Sequence, residues 1–163
     1  MLALRYVYVL ALVVWLGGMV TLGAIVAPAA FGVLQAADPI AGRALAGEAF
    51  GVMVARFHYV AYAAGLLLLV SLAAMAVLGP RPAAFAARSS LIFLMLGVAL
   101  YSGFIVLGDI DAIQREVGTL PSRLAATDSR RIRFDALHVL SERLMMFNMA
   151  GALALLYWEA RER

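Results

Sequence analysis

The chain has 163 residues, about one domain's worth, of which 65% are apolar and 14% charged, with a formal net charge of +3. Soluble domains carry roughly 45–50% apolar and about 25% charged residues, so a water-soluble globule and a disordered chain are both excluded and the solvent is lipid. All thirteen basic residues are Arg, and their densest cluster (Arg130, Arg131, Arg133) is flanked by Asp128 and Asp135, which argues against nucleic-acid binding. With no Cys there are no disulfides, thiolate metal sites or cysteine nucleophiles.

A bilayer-spanning helix needs about 20 mostly apolar residues. Tyr6 to Leu34 carries no charge, and Pro28 is expected to kink it by removing a backbone donor. Arg5 before it and Ala27-Pro28-Ala29 near its end resemble a signal peptide. The run is longer than a signal core of about 7–15 residues, so it reads as an uncleaved first span. Asp38-Pro39 has the pattern of a helix cap followed by a first-turn proline. It predicts a helix over Pro39–Arg56 that either lies along the interface or leads directly into the second span, Phe57 to Gly79. Gly79-Pro80-Arg81-Pro82 closes that span, and the third runs from Ser89 to Gly108. Asp109–Glu116 reads as helical, Gly118-Thr119-Leu120-Pro121 as a break, and Asp128 as the cap of a helix that enters the fourth span. That span, about 139–158, places Glu142 and Arg143 at or inside the membrane edge, where charge is costly. The fold expected is all-α: a single polytopic four-transmembrane-helix bundle with an interfacial helix before span two.

An even number of spans puts both termini and the Arg81–Arg88 loop on one side, with five Arg at high density. The opposite side holds eight Arg among eight acids. Density near span ends favours cytoplasmic termini in a bacterial inner membrane. The same parity collects both histidines, His58 and His138, on the face opposite the termini, with Asp109, Asp111, Asp135, Glu142, Arg56 and Arg143. Asp135, His138 and Glu142 share one helical stripe, and Met145, Asn148 and Met149 are read as continuing it inward. Such groups usually face the bundle interior.

Two histidines at one end of different helices can ligate a haem b iron or copper, and the plainer alternative is that each is hydrogen-bonded to backbone or a nearby acid. Asp135–Arg131 and Glu142–Arg143 pairing is the structural account of the acids. Trp15 with Gly17-Gly18, Ala99/Gly103 and Ala150/Ala154 offer close helix approach. No Ser-His-Asp set, P-loop or dinucleotide glycine pattern is present, so a binding role is expected rather than catalysis.

Trp15-Leu16-Gly17-Gly18, Ala27-Pro28-Ala29-Ala30-Phe31 and Ala41-Gly42-Arg43, with Leu137-His138-Val139-Leu140-Ser141, Asn148 and Gly151, resemble the transmembrane-protein-205-like family. The resemblance implies four membrane helices of unassigned activity and a functional role for His138, Ser141 and Asn148. The first span is also similar to that of copper-resistance D-type membrane proteins, but Arg5-Tyr6-Val7-Tyr8 stands where their His precedes it. The four-span protoporphyrinogen oxidase family has His and Lys in its opening motif, and this chain has neither there. The reading is a lipid-embedded protein with a pocket of His58, His138, Glu142, Ser141, Asn148, Asp135 and Trp15 that binds or helps move a small solute or ion. The alternative is a haem- or copper-binding redox protein using His58 and His138. A homo-oligomer or a membrane-complex partner is the partner expectation beyond lipid.

Overall fold

A computed structural model gives the fold and describes residues 2–118 and 120–161. Thr119 and Arg163, both used in the sequence reading, lie outside the described residues. The described chain is almost entirely helical, without strands, and four helices are long and apolar enough to cross a membrane. They are α1 (Leu2–Ala37), α2 (Gly42–Leu78), α3 (Phe85–Val117) and α4 (Ser129–Arg161). Each neighbour in sequence packs on the next and α4 closes back on α1, so α1 and α3 stand across one diagonal. This is the up-down-up-down bundle that short connections favour.

Each helix outruns the hydrophobic stretch that announces it. At 1.5 Å per residue, 33–37 residues extend about 50–55 Å, against about 30 Å of hydrocarbon. The excess lies mainly on the face opposite the termini. There the helix before span two is continuous with it, so the membrane-entering alternative is the observed one and among the described residues no separate interfacial helix precedes span two. It begins at Gly42 rather than Pro39, because the Asp38 carboxylate accepts the Ile40 and Ala41 N–H groups at 2.9 Å in a turn ahead of the helix. Asp109–Glu116 likewise continues span three, which ends where Gly118 turns left-handed at φ 63° and donates its N–H to the Gln114 carbonyl. Asp128 caps α4 as expected, accepting the Arg130 N–H at 2.9 Å.

The core sits toward the terminal face. Tyr8, Ala11, Leu12, Trp15 and Met19 form a helical stripe on α1. It meets Ala61, Ala64, Leu68 and Leu72 of α2, Ile92, Met95 and Ala99 of α3, and Ala152 and Leu155 of α4. Glycines set the closest approaches. A methyl group on Gly65 would press on Trp15 at 3.2 Å, one on Gly151 would overlap Met95, and one on Gly18 would overlap the Phe57 ring. On α4 the buried face is Gly151, Ala152 and Leu155, whereas Ala150 is exposed, so the packing face is not the Ala150/Ala154 pair. Toward the other face packing thins. Residues 27–37 of α1 and 129–147 of α4 contribute no buried residue.

Both diagonal helices slip their hydrogen-bond register once, at π-helical turns over Leu22–Val26 and Ser102–Val106. In α1 the Ala27 N–H reaches back to the Leu22 carbonyl, and Pro28 has no N–H. The expected disturbance at Pro28 therefore takes the form of a widened turn just before it. In α3 the Leu107 N–H goes to the Ser102 carbonyl, diverting the donor that an α-helix would give Gly103. Such turns are frequent at functional sites.

Candidate functional site

Two ion pairs between α3 and α4 bracket the bundle. Arg88 Nη2 donates to Glu159 Oε2 at 2.6 Å near the terminal face, and Arg133 Nη2 donates to Asp109 Oδ2 at 2.7 Å near the other. Arg88 and Asp109 are separated along α3 by about 30 Å at 1.5 Å per residue, which matches the thickness of a bilayer core. The first pair is enclosed by protein, with side chains 0% and 7% exposed. Arg5 also donates to the Glu159 carboxylate, and the Arg88 guanidinium lies 4.8 Å from the centre of the Tyr8 ring. Spans one, three and four are thereby fastened at one end by two guanidinium groups around one carboxylate.

The seven residues expected to form a pocket separate into two groups. His58, Ser141, Asn148 and Trp15 are wholly or partly buried, whereas His138, Glu142 and Asp135 are exposed. The expected single stripe on α4 divides for a geometric reason. Asn148 follows Glu142 by six residues, which at 3.6 residues per turn places it about 120° around the helix. Asn148 is 5% exposed and faces the bundle, while Glu142 faces outward. Asp135 takes the structural role weighed for it, 3.8 Å from Arg131. Trp15 is a core residue packed on Gly65. His138 lies against Phe134, with ring centres 5.4 Å apart, and His58 lies against Tyr62 at 6.0 Å, so the two imidazoles have separate neighbours. Among the described residues no group of three His, Cys, Asp or Glu side chains is gathered as a metal site.

Of the inward residues, His58 reaches the π-turn of α3, together with Tyr62. The absence of a side chain at Gly103 admits both His58 and Tyr62, since a methyl group there would stand 2.8 Å from His58 Cδ2 and overlap the Tyr62 hydroxyl. Tyr62 stacks on Phe104 at 5.7 Å and points its hydroxyl at the Ala99 carbonyl, 3.5 Å away. His58 Nδ1 is 2.9 Å from the Val54 carbonyl, which can only accept, so Nδ1 carries the hydrogen. Ser102 is buried at the start of the same turn. Across the bundle, Asn148 stands one turn from Gly151, where Met95 packs, and one turn from Met145, whose methyl would lie 3.6 Å from a Cβ added to Gly23 in the other π-turn. Its Oδ1 is buried and has no hydrogen-bond partner among the described residues. An unsatisfied buried carbonyl oxygen costs about 1–3 kcal/mol, so such a group in a native fold calls for a structural or functional reason.

Beyond the membrane, a cleft of about 520 Å³ opens between the start of α2 and the end of α3, lined by Glu48, Asp111, Gln114, Arg115 and Arg123 among others. Arg123 spans it to the Ile40 carbonyl. None of the seven expected residues lines it.

Sequence reasoning missed the Arg5–Glu159–Arg88 cluster and the Tyr62–Gly103 contact. Span parity already placed the three charged residues at one end, and Arg88 stands next to the uncharged third span. Residues 10–118, about two thirds of the chain, match a family model described as a domain of unknown function, DUF4149. No curated protein and no solved structure matches. The matched residues hold spans one to three and end before α4, with Asn148 and Glu159, begins.

Proposed function

The chain belongs to the DUF4149 family, and from that premise we propose that it binds a small polar solute or ion within the membrane, helping it cross between the two faces. The reading places the site in the layer of His58, Tyr62, Ser102 and Asn148, reached from the face opposite the termini. It supersedes the wider pocket that included His138, Glu142 and Asp135. Ser141 stands on the approach to the layer along α4, and Trp15 closes its floor.

The observation that carries this reading is Asn148, an amide buried between helices whose oxygen has no hydrogen-bond partner among the described residues. Polar groups at that depth are costly and are commonly functional. Two further features support it. The π-turn of α3 brings a backbone discontinuity beside His58 and Tyr62, as is usual where irregular backbone faces a binding cavity rather than lipid. The packed core and the Arg88–Glu159 pair close the terminal end, while the opposite end is loosely filled. The density of Arg at the terminal side supports cytoplasmic termini in a bacterial inner membrane.

The test is a thermal-unfolding screen of purified protein in detergent against five probe classes: glycerol, acetate, phosphate, alkali-metal chlorides and magnesium chloride. At least one class is expected to raise the melting temperature saturably, as a ligand of the native state must. The effect should disappear in Asn148→Leu at unchanged helix content. No saturable shift with any class, or equal shifts in the variant, overturns the reading.

A further inference from the structure

Where α2 meets α3, one edge of the bundle carries a connected group of four rings. The Tyr62 ring stacks on Phe104 at 5.7 Å with an interplanar angle of 10°, and Tyr59 and His58 stand edge-on to Tyr62 at 6.1 and 6.0 Å. Tyr59 and Phe104 are 68% and 63% exposed, so the group opens to the outside of the bundle. Gly103, against which His58 and Tyr62 lie, is about 9 Å along α3 from Asp109 and about 22 Å from Arg88. The two bracketing ion pairs therefore set the rings within the hydrocarbon thickness, nearer the face opposite the termini, and what surrounds their outer side is lipid.

Two polar atoms stand among these rings. His58 Nδ1 donates to the Val54 carbonyl, so the neutral imidazole keeps a lone pair on Nε2, for which the described residues supply no donor. The Tyr62 hydroxyl is 3.5 Å from the Ala99 carbonyl, longer than the about 2.5–3.0 Å of an ordinary O–H···O bond, so its hydrogen is free to be donated elsewhere. Both groups converge where Gly103 has no side chain. A methyl group there would overlap the Tyr62 hydroxyl and stand 2.8 Å from His58 Cδ2, the ring atom bonded to Nε2. In water both atoms would be solvated, whereas hydrocarbon offers them nothing.

The edge thus presents one acceptor, one donor, flat aromatic faces and access from the bilayer. We propose that His58, Tyr59, Tyr62 and Phe104 hold the ring of a hydroxylated aromatic lipid, of the quinol class, that enters from the lipid side. A phenolic O–H donates to His58 Nε2 and the same oxygen accepts the Tyr62 hydrogen, while the ring packs against the aromatic side chains. The oxidised quinone has carbonyl acceptors alone and leaves Nε2 unmet, so the reduced form is the ligand. An alkyl chain satisfies neither atom, and an inorganic ion does not partition into hydrocarbon to reach this side. The site goes beyond the solute reading, which is carried by Asn148, and neither depends on the other.

The experiment uses the full chain in nanodiscs of uncharged lipid, kept anaerobic and titrated with duroquinol, with its oxidised form duroquinone, and with durene, the same ring without oxygen. The chain has two histidines, so 15N-histidine labelling gives two imidazoles, with His138 assigned by His138→Gln. The expected result is a saturable upfield shift of the His58 Nε2 resonance with duroquinol, as its lone pair accepts a hydrogen, and a saturable rise in melting temperature. Duroquinone should bind about tenfold more weakly or worse, and durene should produce neither response. At unchanged helix content, His58→Phe should weaken the duroquinol response about tenfold or more, and Tyr62→Phe by a smaller factor. No Nε2 shift with duroquinol, or equal responses to all three compounds, overturns the proposal. Undiminished duroquinol binding in His58→Phe overturns the location. A duroquinol response without any response to the water-soluble probes supports this site and overturns the solute reading. The reverse pattern overturns this site alone.

Discussion

Arg88 and Glu159, 71 residues apart in the sequence, meet at 2.6 Å, the guanidinium fully enclosed by protein. Removing one partner of a buried ion pair strands the other and costs about 3–5 kcal/mol, whereas replacing both with apolar residues is often close to neutral. Arg88→Met alone is therefore expected to lower stability by about that amount. The double variant Arg88→Met/Glu159→Leu should recover most of it, since Arg5 is partly exposed and can turn to solvent. Thermal or denaturant unfolding in one detergent checks this. A double variant as unstable as the single one contradicts the pairing.

Adjacent glycines in α1 are expected to behave oppositely. A methyl group on Gly17 meets nothing within 4 Å, but one on Gly18 collides with the Phe57 ring from α2. Gly18→Ala should cost about 1–3 kcal/mol through the forced displacement of Phe57. Gly17→Ala should be neutral or stabilising by up to about 1 kcal/mol, since glycine is a poor helix former. Unfolding of the two variants side by side tests the placement of α1 against α2.

Outside the membrane, the cap of α4 carries a pH dependence. Hydrogen bonding to the Arg130 side chain, followed by the Arg130 N–H, holds the Asp128 carboxyl down at about 2. A depressed carboxyl stabilises the fold above its unfolded pKa of about 3.9 and loses that contribution as pH falls toward 2. The wild type is thus expected to lose order in the first turn of α4 between about pH 4 and pH 2. Asp128→Asn keeps a capping oxygen without the charge and should flatten the dependence. Amide exchange over residues 129–133 reads the effect, and identical pH profiles for the two proteins contradict it.

The four spans were legible because hydrocarbon selects long apolar runs, and α1 to α4 contain them where hydropathy places them. Their polar extensions were harder to join to the spans, because a helix leaving the membrane changes composition without changing backbone. That is why Pro39–Arg56 could be read as a separate element, although Gly42 to Leu78 is one helix. The site was legible by end but not by direction. Parity brings His58, His138, Glu142 and Asn148 toward one face, and it is silent on rotation about each axis. The 120° between Glu142 and Asn148 decides that one faces out and the other in. The π-turns had a visible cue in Pro28 but none at Gly103, where the register slip accompanies rings contributed by another helix.

The absence of cysteine permits the most direct test, because a single Cys placed at residue 148 is the only thiol in the protein. A membrane-impermeant maleimide is applied from each side of sealed vesicles, with Leu153→Cys as the lipid-facing control, Leu153 being 54% exposed on the bundle surface. The account predicts that Asn148→Cys is labelled from the face opposite the termini, is protected from the terminal face, and reacts much faster than the control. Labelling from the terminal face, or reactivity no greater than that of the Leu153→Cys control, would contradict a polar layer open to the far side.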